Sequence, residues 1–387
     1  MKNFDYIIAG GGCSGLSLAV RLLPYLKASN KRVLVVDKEV KNNNDRTWCF
    51  WEEHSDIFES VVHCKWDHLS FSSSSTNQQL NIHPYSYKMI RAADFYEYAS
   101  EKLTSDSHIT ILLGEVENLF NEEEKAGVVV DGVIYTADYV FSSISKPQKK
   151  RPESYQYLLQ HFQGWIIETE SPIFDPELAK LMDFNTSQQP GTSFVYVLPL
   201  TAYRALVEYT VFSEDLLTPE AYTAALEEYI KKQLKCENYK VVEQENGVIP
   251  MSDHPMQPKD GRIIYLGTAG GYTKGSTGYT FRFIQKHTAA IAERLQKYGD
   301  PYISATYSKR FNLYDGIFLY LLNSERISGE EIFSTMFQKN NAAQILKFLD
   351  NDTSFIEELR LFTTLQKKEF ALAFLKRTLK LIKAGLY

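Results

Sequence analysis

Phe4-Asp5-Tyr6-Ile7-Ile8-Ala9-Gly10-Gly11-Gly12-Cys13-Ser14-Gly15-Leu16-Ser17-Leu18-Ala19-Val20 decides the fold. A short apolar run predicts a buried strand, the glycines a tight turn, and the residues after Gly15 a helix. The glycines have the spacing G-x-G-x-x-G. Gly10 serves the turn, Gly12 leaves room for a pyrophosphate, and Gly15 lets the helix lie close to the strand, its N-terminus facing the phosphate charge. A second apolar run, Arg32-Val33-Leu34-Val35-Val36, ends in Asp37 and Lys38, the next candidate contacts. There, about 20 residues beyond the glycines, an acid accepts hydrogen bonds from ribose hydroxyls. The glycine spacing alone also occurs in turns that bind nothing. Strand, turn, helix, strand and acid in this order predict a Rossmann-type dinucleotide-binding domain.

Beyond Asp37 a polar patch, Asn42-Asn43-Asn44-Asp45, runs into Arg46-Thr47-Trp48-Cys49-Phe50-Trp51-Glu52. Aromatics directly after a solvated patch predict a loop turned inward at a site, with Arg46 and Trp48 as its candidates; a loop merely anchored by its aromatics is the alternative. The Ser-rich residues 71–79 predict a hairpin tip. Residues 89–98 predict the opening of a helix whose Arg91 meets a cofactor, or is an ordinary surface residue. Apolar runs at 109–113, 128–130, 134–135 and 138–143 continue the nucleotide domain. The basic, Pro-bearing residues 146–152 read as a linker out of it.

From there the strands lengthen and fill with Val, Tyr and Phe, which predicts a second, sheet-based domain. Within it Ala205-Leu206-Val207-Glu208-Tyr209-Thr210-Val211-Phe212 sets one carboxylate into an apolar run. A desolvated carboxylate must find a partner, take up a proton or do chemistry, which makes Glu208 the candidate catalytic acid or base. Asp175, Asp183 and Glu168 are secondary acids, or else loop and capping carboxylates. A helix follows, with Thr218 as N-cap and Pro219 in its first turn. The chain then returns to the first domain through Ile263-Ile264-Tyr265-Leu266 and the loop Gly267-Thr268-Ala269-Gly270-Gly271-Tyr272-Thr273-Lys274-Gly275-Ser276-Thr277-Gly278. Five glycines in these twelve residues supply backbone donors and close approach for a planar or anionic group.

The chain's 387 residues give room for two to three domains, and a net charge of −6 argues against a nucleic-acid surface. Four cysteines, Cys13, Cys49, Cys64 and Cys236, have no metal-site spacing and predict a reduced, cytoplasmic protein. No cleavable apolar leader and no spanning run are expected.

Asn44-Asp45-Arg46-Thr47-Trp48-Cys49-Phe50-Trp51, Gly164-Trp165, Phe174-Asp175-Pro176, Leu181-Met182-Asp183-Phe184, Ala205-Leu206-Val207-Glu208-Tyr209-Thr210 and Gly267-Thr268-Ala269-Gly270-Gly271-Tyr272-Thr273-Lys274 together resemble the FAD-dependent lycopene β-cyclase family. The resemblance implies an α/β (α+β) fold similar to the aromatic hydroxylases and geranylgeranyl reductases. In this reading 1–70, 89–150 and 246–300 form a Rossmann-type FAD-binding domain, 71–88 and 151–245 an interleaved β-sheet substrate domain, and 301–387 a helical region. It implies cyclisation of lycopene ends to β-rings, reduced FAD as a non-redox cofactor and NAD(P)H as its reductant. The flavin would be held by Gly10, Gly12, Gly15, Asp37, Lys38, Arg91, Gly267, Thr268, Gly270, Gly271 and Gly278. Glu208 falls on the first Glu of a motif often written F-L-E-E-T. Tyr209 stands in place of the second, which removes the argument for a carboxylate pair. Thr268 follows Gly267 where redox hydroxylases of the fold generally have Asp, so flavin contact is expected to shift to backbone and hydroxyl groups.

The last segment predicts a helix with Leu372, Leu375, Leu379, Ile382 and Leu386 on one face and Lys376, Arg377, Lys380 and Lys383 opposite. Such a helix either docks on its own domain or lies on anionic lipid. A hydrocarbon substrate implies the second, on the cytoplasmic membrane face, with other carotenoid enzymes as neighbours. Two alternatives stay open: a flavin monooxygenase or prenyl reductase doing net redox chemistry, and a flavin- or carotenoid-binding protein without turnover.

Overall fold

A computed structural model describes residues 2–144, 153–189, 191–303, 309–324 and 326–385; the expected linker at 146–152 and Leu386 lie outside them. The opening strand, Tyr6–Ala9, is buried on both faces, which is why it reads as a continuous apolar run. Tyr6 and Ile8 pack with Leu18 and Leu22 of helix α1 (Cys13–Ser29). Ile7 and Ala9 face Val128 and Val130 of a small four-stranded sheet. Neighbouring strands lie in the order Lys259–Asp260, Ile263–Tyr265, Tyr139–Ser142, Tyr6–Ala9, Val33–Asp37, Ile109–Leu113. All are parallel except the first pair. The strand order reverses beside Tyr6–Ala9, the switch point where a doubly wound sheet opens a crevice for a ligand.

Residues 47–52 are not a loop. Thr47–Glu52 is a strand paired with Ser86–Arg91, which also pairs with Cys64–Trp66. Residues 89–91 therefore close a strand, and helix α2 (Ala92–Thr104) starts after them. Met and Ala favour a helix locally, but Met89 and Ile90 are fully enclosed by strand partners, and that packing outweighs propensity.

The second sheet has seven strands, in the order Tyr239–Ser252, Tyr157–Thr169, Arg204–Ser213, Thr192–Thr201, Leu178–Asp183, His68–Ser73, Thr76–Asn81. The last two are the hairpin expected at 71–79, starting earlier at His68. The strand Tyr239–Ser252 continues past residue 245 because it matches the long central strand along its whole length. One face, with Ala205, Val207, Tyr209 and Val211, packs on helix α3 (Pro219–Lys232), which Thr218 caps. The other face, with Leu206 and Phe212, looks toward the C-terminal helices.

Helix α4 (Phe281–Tyr298) returns to the first domain and packs on α1. Five helices then cover the second sheet: α5 (Lys309–Asn323), α6 (Gly329–Lys339), α7 (Ala342–Leu349), α8 (Phe355–Thr364) and α9 (Lys367–Lys383). The last is turned opposite to its apolar stripe. Ala373, Arg377 and Leu381 face inward, while Leu375, Leu379 and Ile382 are about half exposed. Arg377 donates to Asp253 and to the Ser154 carbonyl, and a buried Asp253 left without it would be a lone charge. No helix among the described residues is long and apolar enough to cross a membrane.

Candidate active site

Glu208 sits on the one row of the seven-stranded sheet where this placement builds a site. The strand alternates, so 205, 207, 209 and 211 point at α3 and Glu208 points the other way, into a cavity of about 510 Å³. Across the sheet Glu208 lies opposite Gly164, and Gly164 lies opposite Glu245 on the next strand. Two strand spacings, roughly 10 Å, separate the backbones of the two acids. Gly164 has no side chain between them, so the two carboxyls come near enough over it to act on each other's protonation. A Cβ at Gly164 would stand 3.2 Å from Glu245 Cγ and 3.4 Å from Glu208 Cβ.

Burial, and then the neighbouring Glu245 charge, push the Glu208 carboxyl up to about 8; burial likewise raises Glu245. A carboxyl raised to about 8 keeps its proton at neutral pH. Thr210 Oγ1 donates to Glu208 at 2.9 Å and Thr47 Oγ1 to Glu245 at 2.7 Å, which fixes both carboxyls in the cavity wall. A carboxylate pair is thus present, contrary to the expectation from Tyr209. Tyr209 points at α3, and the second acid comes from a strand 37 residues on (245 − 208). Its signal was Glu243-Gln244-Glu245 in a polar, alternating strand, which reads as solvated surface.

Around the carboxyls much of the wall is aromatic. Trp48, Tyr87, Phe162, Tyr196, Tyr279 and Phe281 line the cavity. Burial holds the Tyr87 and Tyr196 hydroxyls well above their ordinary range and Tyr279 at about 12, so they stay neutral. Cys49, also in the wall, is kept a thiol by burial and by the nearby carboxylates. Ring faces attract a cation without bonding to it, and a neutral thiol is a poor nucleophile. The cavity can deliver a proton and shelter a carbocation.

The same cavity reaches the glycine loop of the first domain. Thr268, Gly278 and Thr280 line it together with Asp45 and Arg46. At the switch point, a Cβ on Gly15 would fall 1.9 Å from the Gly10 carbonyl, whereas one on Gly12 would meet nothing within 4 Å. Close packing at Gly15 and open space at Gly12, at the N-terminus of α1, form a cradle that fits a pyrophosphate. Asp37 turns toward it, accepting from Gly11 N at 2.5 Å, and Lys38 is exposed beside it. Gly267 takes a φ of +54° at the start of a short 3-10 turn that includes Thr268 and Gly270 and ends at Gly271. Arg91 is held by Asp94 through two bonds of 2.8 and 2.9 Å, and lies outside the cavity wall.

Asp175, Asp183 and Glu168 are not brought to Glu208. Asp175 and Glu168 are exposed, and Asp175 accepts from Glu177 N in its own turn. Asp183 is buried but spent on Lys180, Tyr229 and Asn185, tying α3 to its sheet. No cluster of metal-ligand type occurs among the described residues.

A Rossmann-type domain with an interleaved sheet over the glycine cradle defines the architecture of a flavoprotein. Solved structures with this fold include a geranylgeranyl bacteriochlorophyll reductase-like protein from Thermoplasma acidophilum, with a TM-score of 0.63, 12% identity, and 95% of this chain and 98% of that one covered. A flavoprotein/dehydrogenase from Cytophaga hutchinsonii aligns with a TM-score of 0.62 at 10% identity, over 94% and 99%. Within that fold class the chain belongs to the lycopene cyclase family, whose model, "Lycopene cyclase protein", matches residues 5–376. It is 25% identical over 309 residues to the lycopene beta-cyclase of Pantoea ananas, covering 76% of this chain and 74% of that protein. To the lycopene beta-cyclase of Pseudescherichia vulneris it is 24% identical over 310 residues, covering 75% and 73%.

Proposed function

We propose that this protein cyclises the linear ends of lycopene to β-rings, with Glu208 as the proton donor, and the observation that carries the reading is the Glu208–Glu245 pair over Gly164. Protonating an unactivated double bond takes an acid that still holds its proton near neutrality in a dry site. Burial and the like-charged partner give Glu208 that property. Glu208 delivers its proton to the terminal isopropylidene double bond, and the neighbouring double bond closes on the cation. One proton leaves the new ring and returns to the pair, so substrate and product are isomers. Trp48, Phe162, Tyr279 and Phe281 surround the cation, and the un-ionised Cys49 and tyrosines do not capture it.

FAD would be held by Gly10, Gly12, Gly15 and Asp37 of the cradle and by Thr268, Gly270, Gly271 and Gly278 of the second glycine loop, with Arg91 and Lys38 at the periphery. Reduced FAD bound there would supply electron density that steadies the cation, with NAD(P)H as its reductant and no net redox change. Backbone and hydroxyl donors at Thr268 and Thr280 fit that role better than an Asp would. The chain works at a membrane surface, on the cytoplasmic face, through the half-exposed apolar residues of α8 and α9 and the lysines beside them.

Expression in a lycopene-accumulating bacterial host tests the reading. The parent is expected to give γ- or β-carotene, and Glu208→Ala unchanged lycopene. Persistence of lycopene with a folded, flavin-bearing parent would overturn it, as would NAD(P)H consumption in proportion to product.

A further inference from the structure

A second cavity, of about 540 Å³, lies between the seven-stranded sheet's helical cover and the end of the chain, and the catalytic reading above gives it no role. Its inner wall is Phe318, Phe333, Met336 and Phe348 from α5, α6 and α7. Its mouth is framed by Phe355 and Leu359 of α8 and Phe374 of α9, which are 59, 47 and 48% exposed. Asp315 is the one acid in its wall among the described residues, and Lys274 and Ser276 each donate to it at 2.7 Å. Thr277 belongs to the wall of this cavity and also to that of the Glu208 cavity. Its buried Oγ1 has no hydrogen-bond partner.

From the shared wall at Thr277, we infer that the second cavity is a gallery that takes the linear, unreacted part of the polyene while one end reaches Glu208, with the α8–α9 mouth as the entrance. The inference rests on the cyclase reading for the identity of the substrate, and goes beyond it in assigning the site. A rod-shaped hydrocarbon with one end at Glu208 must extend somewhere, and a wall made mostly of rings, Leu and Met, its Asp315 already held by Lys274 and Ser276, offers it dispersion contacts. The mouth carries large apolar side chains into solvent, where a monomeric protein rarely leaves several together. Inverting α9 around Arg377 is what puts Phe374 at this rim and leaves Leu375, Leu379 and Ile382 exposed beside it.

The test uses the full-length, flavin-loaded protein and two substitutions outside the Glu208 cavity: Ala371→Trp, which fills the mouth from an exposed helix position, and Leu361→Trp, which fills the interior. Ala371→Trp keeps the test decisive should Leu361→Trp misfold. Binding is read by the fluorescence of the apolar rod diphenylhexatriene, with lycopene and palmitate as competitors. Turnover is compared on lycopene and on a short acyclic isoprenoid with the same end group. Expected are probe binding by the parent and by Glu208→Gln, displacement by lycopene, and at least about tenfold weaker binding and lycopene turnover in Ala371→Trp, the scale of lost pocket contacts. Turnover of the short substrate should be kept. Equal lycopene turnover and probe binding in parent and Ala371→Trp would overturn the gallery, as would displacement by palmitate at least as strong as by lycopene, or equal loss of both substrates. A parent that binds the probe in the gallery but never cyclises lycopene would sink the cyclase reading while leaving the gallery as a site for an apolar rod.

Discussion

The Glu208 strand and helix α9 each carry a charged residue inside an apolar pattern, and they resolve it in opposite ways. On the strand, alternation sends Ala205, Val207, Tyr209 and Val211 to α3 and leaves Glu208 facing a cavity, where it keeps its proton. On α9, Arg377 goes inward to Asp253, and Leu375, Leu379 and Ile382 are turned out. A buried carboxyl can be neutralised by the solvent proton, but a guanidinium cannot, so it must be met by an acid. In the proposed reaction the acid serves reactivity in one region, and the guanidinium serves docking in the other.

Removing the proton from the first region should have the largest effect. Glu208→Gln keeps the shape and a hydrogen-bond donor but cannot transfer a proton; lycopene turnover is expected to fall about 10³-fold or more, with flavin absorbance and circular dichroism unchanged. The same variant has a signature in stability. Glu208 is raised from 4.5 to about 8 in the folded chain. Native protein therefore holds a proton that the unfolded chain has released across that interval, and the stability present below pH about 4.5 is lost as pH rises, the loss being complete near 8. Denaturant titrations at pH 5 and 8 should show a smaller fall for Glu208→Gln than for the parent. An equal fall would mean that Glu208 is not a buried neutral acid.

Breaking the second region's pair should cost stability, not chemistry. Arg377→Met leaves Asp253 buried and uncompensated, a loss of about 3–5 kcal/mol. Adding Asp253→Asn should recover part of it, a non-additivity that a double-mutant cycle measures. Additive losses would show that the two residues do not depend on each other.

Gly164→Ala probes how the carboxyls meet. A methyl there falls at 3.2 Å from Glu245 Cγ and 3.4 Å from Glu208 Cβ, contacts that press the side chains apart. With the like charge farther away, the Glu208 carboxyl moves down from about 8 and loses its proton earlier. The alkaline limb of the lycopene rate against pH should shift to lower pH, with turnover at pH 7 down by about tenfold. An unmoved limb would remove the Glu245 charge from the causes and leave burial alone to raise Glu208.

The contrast also shows what the sequence made legible. The opening strand, the glycine turn and Glu208 were readable because their meaning is local: a period of two, a spacing of glycines, one charge among apolar neighbours. Thr47–Glu52 was read as a loop because its pairing with Ser86–Arg91 is set 34 to 44 residues away (86 − 52 and 91 − 47). Glu245 was missed because its strand looks solvated, and only Gly164 between two long strands brings it to Glu208. The α9 pattern alone left two orientations open for the same reason, since the residue that turns the helix, Asp253, is 124 positions upstream (377 − 253). What is fixed by a distant partner leaves no period in the sequence.

The smallest effect on stability should come from the outward face of α9. Leu379 and Ile382 are 46 and 54% exposed, so Leu379→Ser with Ile382→Ser removes little burial on folding, and unfolding free energy should change by no more than about 0.5 kcal/mol for each. Had α9 docked by its leucine stripe, the same pair would have cost several times as much, as truncations of buried leucines do. Their effect belongs to the membrane: sedimentation with anionic phosphatidylglycerol vesicles should fall clearly below the parent's, while catalysis on detergent-dispersed lycopene should hold. The double variant separates the two readings of the helix, because a stability loss of several kcal/mol would place the leucines inside, and unchanged vesicle binding with unchanged stability would leave that face without a lipid role.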